Sequence, residues 1–386
     1  MLHTLAVENY RSLRSVVVPL GRLNVIQGAN GSGKSNLYKA LRLLADTAVG
    51  GVVSSLAREG GLKSTFWAGP EKISREMRAG RLPVQGTQRQ RAVRLKLGFA
   101  AEDFGYCITL GLPAPSDSAF ALDPEIKREC IWAGPLCKPE RILVDRSGPA
   151  VRVRTEKGWQ TLAEGLGLFE SLFVQIADPN NAPEVLFLRE KIRGWRFYDQ
   201  LRTDGDAPCR IPKLGTRTPV LCDHGGDLAA AIQTIIEIGD PRAVSEAIDA
   251  AFPGATLNIG TEPGGRFTIE FRQPGLLRPL GGAELSDGTL RFLLWLAALL
   301  TPRPPSMMVL NEPETSLHPD LLPALSRLII EAGKKMQIWV VTHSPPLISA
   351  LKKCPETHVI ELQKDFGQTH VKDQTLLDRP QWRWVE

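Results

Sequence analysis

The sequence has no apolar run able to cross a bilayer: the longest, residues 292–300, falls far short of the ~20 residues a spanning helix needs. Its opening, MLHTLAVENYRSLRS, has no basic start followed by an apolar stretch, which argues against a secretion signal. Six cysteines (Cys107, Cys130, Cys137, Cys209, Cys222 and Cys354) are scattered without a CxxC pair. That argues against a structural zinc, and a reduced chain in the cytoplasm is expected, with no membrane partner. Internal repeats, low-complexity tracts and long heptad runs are also missing, so neither a repeat array nor a coiled-coil arm is expected. What remains is the composition of a folded protein, 386 residues with 43% hydrophobic and 23% charged. Length allows about two or three average domains, or one α/β body with insertions.

The net charge of +5 is unevenly placed, with ten Lys/Arg against three Glu in residues 58–96. Such a block attracts phosphate backbones, or it is a solvated face. Residues 91–97 alternate as an exposed strand does. A second basic stretch, residues 189–217, interleaves Trp195, Phe197 and Tyr198 with Arg193, Arg196 and Arg202. That mixture stacks bases in some proteins and fills cores in others. DNA is therefore a candidate partner. The tail residues Trp382 and Trp384 either join such a surface or fold back on the body.

Along the chain, strands are expected at residues 4–8, 15–19 and 23–26, then a helix over 36–48. Residues 92–112 read as a strand meander and 113–150 as loop with short strands. Residues 165–178 read as helix, and 182–192 as strand or loop. Helices are expected over 227–238 and 241–251, and a strand pair over 255–273 around Pro263-Gly-Gly. From residue 288 the pattern alternates clearly: helix 288–300, strand 307–310, helix 319–332, strand 337–342, helix 346–352, strand 357–362. Strand–helix alternation implies a mainly parallel sheet.

Gly28-Ala29-Asn30-Gly31-Ser32-Gly33-Lys34-Ser35 matches GxxxxGK[ST] between an expected strand and an expected helix, the two flanks that confirm a phosphate cradle. Its glycines let backbone N–H groups converge, and the helix start adds partial positive charge. Lys34 suits the β and γ phosphates of ATP, and the Ser35 hydroxyl suits Mg²⁺. Three later segments follow in order: Ser286-Asp-Gly288 heading an apolar helix, strand 307–310 running into Asn311-Glu312, and Thr-His343-Ser at a strand end.

Together these four segments resemble the ATP-binding-cassette ATPase head. The likeness is greatest to its SMC, RecF and OLD-type branch, through Asn9-Tyr-Arg-Ser-Leu, Asn30-Gly-Ser-Gly-Lys-Ser-Asn36 and Glu312-Pro-Glu-Thr-Ser-Leu-His-Pro. The resemblance implies an α/β P-loop fold with a mainly parallel central sheet, an antiparallel β subdomain and a helical lobe. It implies one head over residues 1–386: an N-terminal lobe to 125, an irregular insertion over 126–225, and helical and C-terminal lobes over 226–386. It also implies a homodimer that sandwiches ATP, with Ser286 and Gly288 of one copy facing the nucleotide on Lys34 and Ser35 of the other. Glu312 is then the base that polarises water, His343 the γ-phosphate sensor, and His318 a packing or interface residue. Asn311 stands where the branch usually carries Asp, so magnesium is held more weakly and ATP hydrolysis is slow. A glutamine of the magnesium shell is expected among Gln85, Gln88 and Gln90.

Two functions fit. One is an ATP hydrolase whose dimer cycle gates a separate nuclease or effector, in DNA repair or antiphage defence. The absence of a recognisable nuclease segment after the His343 helix points to a separate protein for that task. The other is a nucleotide-gated module for DNA or protein that scarcely hydrolyses. A transporter motor fits the cassette but not the Asn9-Tyr-Arg-Ser opening or the Glu-Thr-Ser-Leu-His-Pro turn.

Overall fold

The computed structural model describes every residue except Gln88, Arg91, Gln200, Leu376 and Glu386. The chain divides into two compact units: Met1–Gly21, Gln27–Trp195 and Ile360–Glu386 form the first, and Arg22–Ile26 and Arg196–Val359 form the second. The strand Leu23–Gly28 is shared, its first four residues lying in the second unit and its last two in the first.

The first unit is built on an eight-stranded antiparallel sheet. Its order is Leu13–Pro19, Leu2–Tyr10, Leu95–Ala101, Phe104–Gly111, Glu125–Ala133, Ile142–Ser147, Ala150–Thr155 and Gly158–Ala163. The helix Lys34–Thr47 packs on the strands Leu2–Tyr10 and Leu95–Ala101 through Leu37, Leu41 and Leu44, a spacing of three and four residues that puts one apolar stripe against the sheet. The sheet's other face carries Cys107 and Cys130 in register, and the tail folds onto it there. Trp382 sits edge-on to Trp132 at 5.6 Å and lies over Gly98, where a Cβ would come within 2.6 Å of its ring.

In the second unit the strands Arg196–Tyr198, Met307–Asn311, Gln337–Val341 and Leu23–Ile26 run parallel in that order. The two central ones, MMVLN and QIWVV, are buried almost throughout, as parallel strands covered on both faces require. Asp287–Leu299, Leu322–Gly333 and Pro345–Leu351 are the helices of the alternating segment, and Leu228–Ile238 and Pro241–Ala251 precede them. The three-stranded sheet Lys213–Leu214, Arg266–Arg272, Thr256–Glu262 completes the unit.

Several expectations are corrected. Pro183–Arg193 is a helix, not strand or loop, with Val185, Leu188 and Ile192 buried. The stretch 165–178 holds only one helical turn, Leu172–Gln175. Residues 113–150 contain a nine-residue strand, Glu125–Ala133, in the sheet interior. The strand expected to begin at 91 starts at Leu95 and is largely buried rather than exposed; Arg91 lies outside the described residues. Trp195, Phe197 and Tyr198 are all buried, so they do not offer rings to bases.

Candidate active site

The cradle is bent by two glycines that no other residue replaces. Gly28 has φ +150°, and a Cβ there would sit 2.3 Å from the Leu362 carbonyl oxygen. Gly33, at φ +108°, leaves no room either, because a Cβ would reach 2.1 Å from Thr369 Oγ1. Lys34 is buried and donates from Nζ to the Gly28 and Ala29 carbonyls at 2.6 and 3.0 Å. Ala29, Asn30, Gly31 and Ser35 are exposed around it, while Ser32 Oγ is buried without a partner among the described residues.

The turn at residues 9–12, part of the sequence resemblance, supports this loop. Ser12 Oγ accepts from Asn36 Nδ2 at 2.8 Å and shares a 2.7 Å bond with Thr369 Oγ1. Thr369 in turn donates to the Ser32 carbonyl at 2.8 Å, and its N–H donates to the Ser12 carbonyl at 2.9 Å. Asn9 and Arg11 take positive φ to make the turn, and Tyr10 and Arg11 both bond Glu59. Burial, reinforced by Glu59, pushes the Tyr10 phenol well above its ordinary pKa, so it stays a neutral donor. Asn36 was legible as a cradle residue; Thr369 had no sequence signal.

In the second unit, the parallel strands end together. Asn311 pairs with Val341, the Glu312 N–H donates to the Val341 carbonyl at 2.7 Å, and the Thr342 N–H donates to the Ile26 carbonyl at 3.2 Å. Ile26 lies two residues before the cradle begins. Glu312 adopts φ +49°, uncommon for a residue with a side chain, and its Oε1 is 3.8 Å from His343 Nε2. Their side chains are 48% and 38% exposed, so both groups remain open to solvent. Trp295, buried in the helix Asp287–Leu299, donates from Nε1 to the Pro313 carbonyl at 2.9 Å and holds the loop after Glu312.

Ser286 caps that helix, its Oγ accepting from the Thr289 N–H at 3.2 Å, and it is exposed. Gly288 faces the turn that carries Ser316, whose carbonyl oxygen would lie 3.0 Å from an added Cβ. With Ser316, His318 and Asp320 they line an open groove of about 600 Å³. His318 is 72% exposed with Nδ1 3.2 Å from Asp320, so it does not pack within the chain. Gln85 and Gln90 are exposed, Gln90 bonding Glu71 through its N–H, and Gln88 lies outside the described residues. The structure thus brings Glu312 to His343, Ser286 to Gly288, and Asn36 to the cradle loop. The residue missed by sequence reasoning is Glu314, whose Oε1 accepts from Thr342, His343 and Ser344. Its signal was the second glutamate of Glu312-Pro-Glu.

A family model described as "AAA domain, putative AbiEii toxin, Type IV TA system" matches residues 23–158 and 180–349, most of the chain. The chain belongs to this family. No curated protein matches it. Among solved structures it is similar to an SMC head bound to the C-terminal winged-helix domain of ScpA. That match has 15% identity and a TM-score of 0.50, covering 97% of this chain and 98% of the other. The SMC head domain of Thermotoga maritima matches at 15% identity and TM-score 0.45, covering 97% and 99%. An SMC head with an extended coiled coil, bound to the C-terminal domain of ScpA and derived from Pyrococcus furiosus, matches at 14% and 0.47, covering 96% and 95%. This protein of the AAA-domain family thus has an α/β fold similar to that of an SMC head. Among the described residues no helix is long and apolar enough to cross a membrane.

Proposed function

We propose that residues 1–386 act as one head that binds ATP with magnesium, closes as a homodimer around it and hydrolyses it slowly, gating a separate nuclease or effector. The observation that carries this reading is the 3.8 Å approach of His343 to Glu312 on neighbouring strand ends, with both side chains open to solvent. A general base needs an acceptor oxygen within reach of water and a neighbour that fixes its direction. Lys34 and the N–H groups after Gly28 bind the phosphates, and exposed Ser35 takes the magnesium side. Magnesium when bound neutralises charge on the β and γ phosphates. Ser35 and Asn311 fit it as neutral oxygen donors to an ion that keeps most of its waters. Because Asn311 supplies no negative charge, retention is weak and turnover slow. Exposed Ser286 and half-buried Gly288, lining an open groove, suit contact with the nucleotide on a second copy.

The family description names a toxin–antitoxin system, which favours a defence role over repair. Nucleic acid is the weaker part, because Arg78, Arg89 and Lys96 of the first basic region already bond Asp365, backbone carbonyls and Glu8. Light scattering with and without ATP, on the parent and on Glu312→Gln, tests the reading. The variant should double in mass with ATP and fail to hydrolyse it. Equal turnover in the two proteins removes Glu312 from its role, and a monomer at saturating ATP removes the dimer.

The module reading is favoured by Asn311 alone. Steady-state phosphate release with magnesium separates it from the hydrolase.

A further inference from the structure

Resting on the reading above, we propose that Glu314 is a positioning residue for hydrolysis, holding His343 against Glu312. Three successive residues converge on one of its oxygens. Glu314 Oε1 accepts from Thr342 Oγ1 at 2.6 Å, from the His343 N–H at 3.0 Å and from the Ser344 N–H at 3.2 Å. A carboxylate makes such bonds shorter and stronger than a neutral acceptor does.

Glu314 is itself fixed from its own side. Pro313 restricts the backbone between the two glutamates, and its carbonyl accepts from the indole of buried Trp295. The segment carrying the base and the segment carrying the histidine are therefore tied twice. One tie is backbone, from the Glu312 N–H to the Val341 carbonyl, and the other is the Glu314 carboxylate. Without the second tie, Thr342 keeps its bond to Ile26 and the Ser344 amide keeps the Thr342 hydroxyl at 3.0 Å, but the His343 amide loses its Glu314 acceptor. The imidazole would then swing on a free pivot, and a positional error of about 1 Å costs on the order of 100-fold in rate.

Glu314 Oε2 is buried and has no partner among the described residues. A glutamine at this position keeps the triple acceptor but buries an unpaired amide nitrogen in place of Oε2, so it should restore function only in part.

The test compares Glu314→Ala, Glu314→Gln and Thr342→Val in the full chain. Glu314→Ala should lower kcat about 100-fold while KM and the affinity for a fluorescent ATP analogue stay within about threefold. Glu314→Gln should recover to within about tenfold of the parent, and Thr342→Val, which removes one of the three donors to Glu314 and one acceptor of the Ser344 N–H but keeps the His343 bond, should lose less than Ala. A purely structural tie would lower the melting temperature and leave kcat near the parent value, which overturns the proposal. So does a loss of nucleotide affinity in proportion to kcat. The His343 imidazole signal in ¹³C-histidine NMR of the nucleotide-free protein, assigned through His343→Ala, gives a readout that needs no turnover. It should move in Glu314→Ala, and an unmoved signal overturns the proposal even if the parent hydrolyses nothing. A moved signal with an inactive parent upholds the positioning and rejects only the hydrolase reading.

Discussion

Glu129 and Glu312 show what surroundings make of one side chain. Glu129, in the strand Glu125–Ala133, is wholly buried and bonded on every side. Its carboxylate accepts from Tyr106 at 2.7 Å, Ser171 at 2.5 Å, the Leu172 N–H at 2.8 Å and Arg146 at 2.7 Å. Arg146, also wholly buried, gives its other donors to the Gly148, Glu170 and Gly167 carbonyls. Burial, with Glu129 beside it, pushes the Tyr106 phenol well above its ordinary pKa, so that hydroxyl stays a donor to the carboxylate. Glu312 has one loose neighbour at 3.8 Å and a side chain half open to solvent. A saturated carboxylate has no capacity left for a substrate, whereas an unsaturated one does. The first locks a sheet to the loop after it, and the second is left available to water.

The contrast makes opposite demands on the two glutamates. Glu312→Gln should cut ATP turnover by about 10²–10⁴ while thermal melting stays unchanged, since no bond of the fold is lost. Glu129→Ala should leave Arg146 buried without its partner and destabilise the fold by about 3–5 kcal/mol in urea unfolding. Replacing Glu129 and Arg146 together with apolar residues of like volume should recover most of that loss. A melting loss in Glu312→Gln, or an unaffected Glu129→Ala, breaks the comparison. Gly33→Ala should weaken nucleotide binding at least about tenfold by forcing Thr369 out of the loop, as calorimetric titration would show. The smallest effect sharpens the comparison on the Glu312 side. Asn311→Asp restores a charge next to the base and should raise turnover about three- to tenfold at limiting magnesium, converging with the parent at high magnesium.

The second unit was legible nearly element by element, because helix caps, prolines and short apolar strands are local signals. Pro241–Ala251 falls where the sequence put it, and Pro345–Leu351 within a residue. The first unit hid its middle for physical reasons. Lys127, Arg128 and Glu129 interrupt the apolar alternation of their strand, and only partners outside it, Arg146, Tyr106, Ser171 and the Leu172 N–H, explain how Glu129 can be inside. Pro183–Arg193 was misread because exposed Phe187 fills in the helical stripe and makes a dense apolar run. Trp195 and Tyr198 fit a base-stacking surface and a core equally well in the sequence, because burial leaves no mark on an aromatic letter, and they are core. At the candidate site the sequence motifs name the candidate residues, but the bonds of Glu314 and Thr369 arise from folding and could not be read from spacing.

Thr369 gives the cradle a timetable. The hydroxyl that clasps the Ser32 carbonyl is encoded 337 residues after it, and its other partner, Ser12, precedes it by 357. On the ribosome the phosphate loop therefore emerges well before its clasp and waits, unclasped, while the chain between them is made. A polypeptide interrupted before the strand Gln368–Val371 carries the motif without the lock.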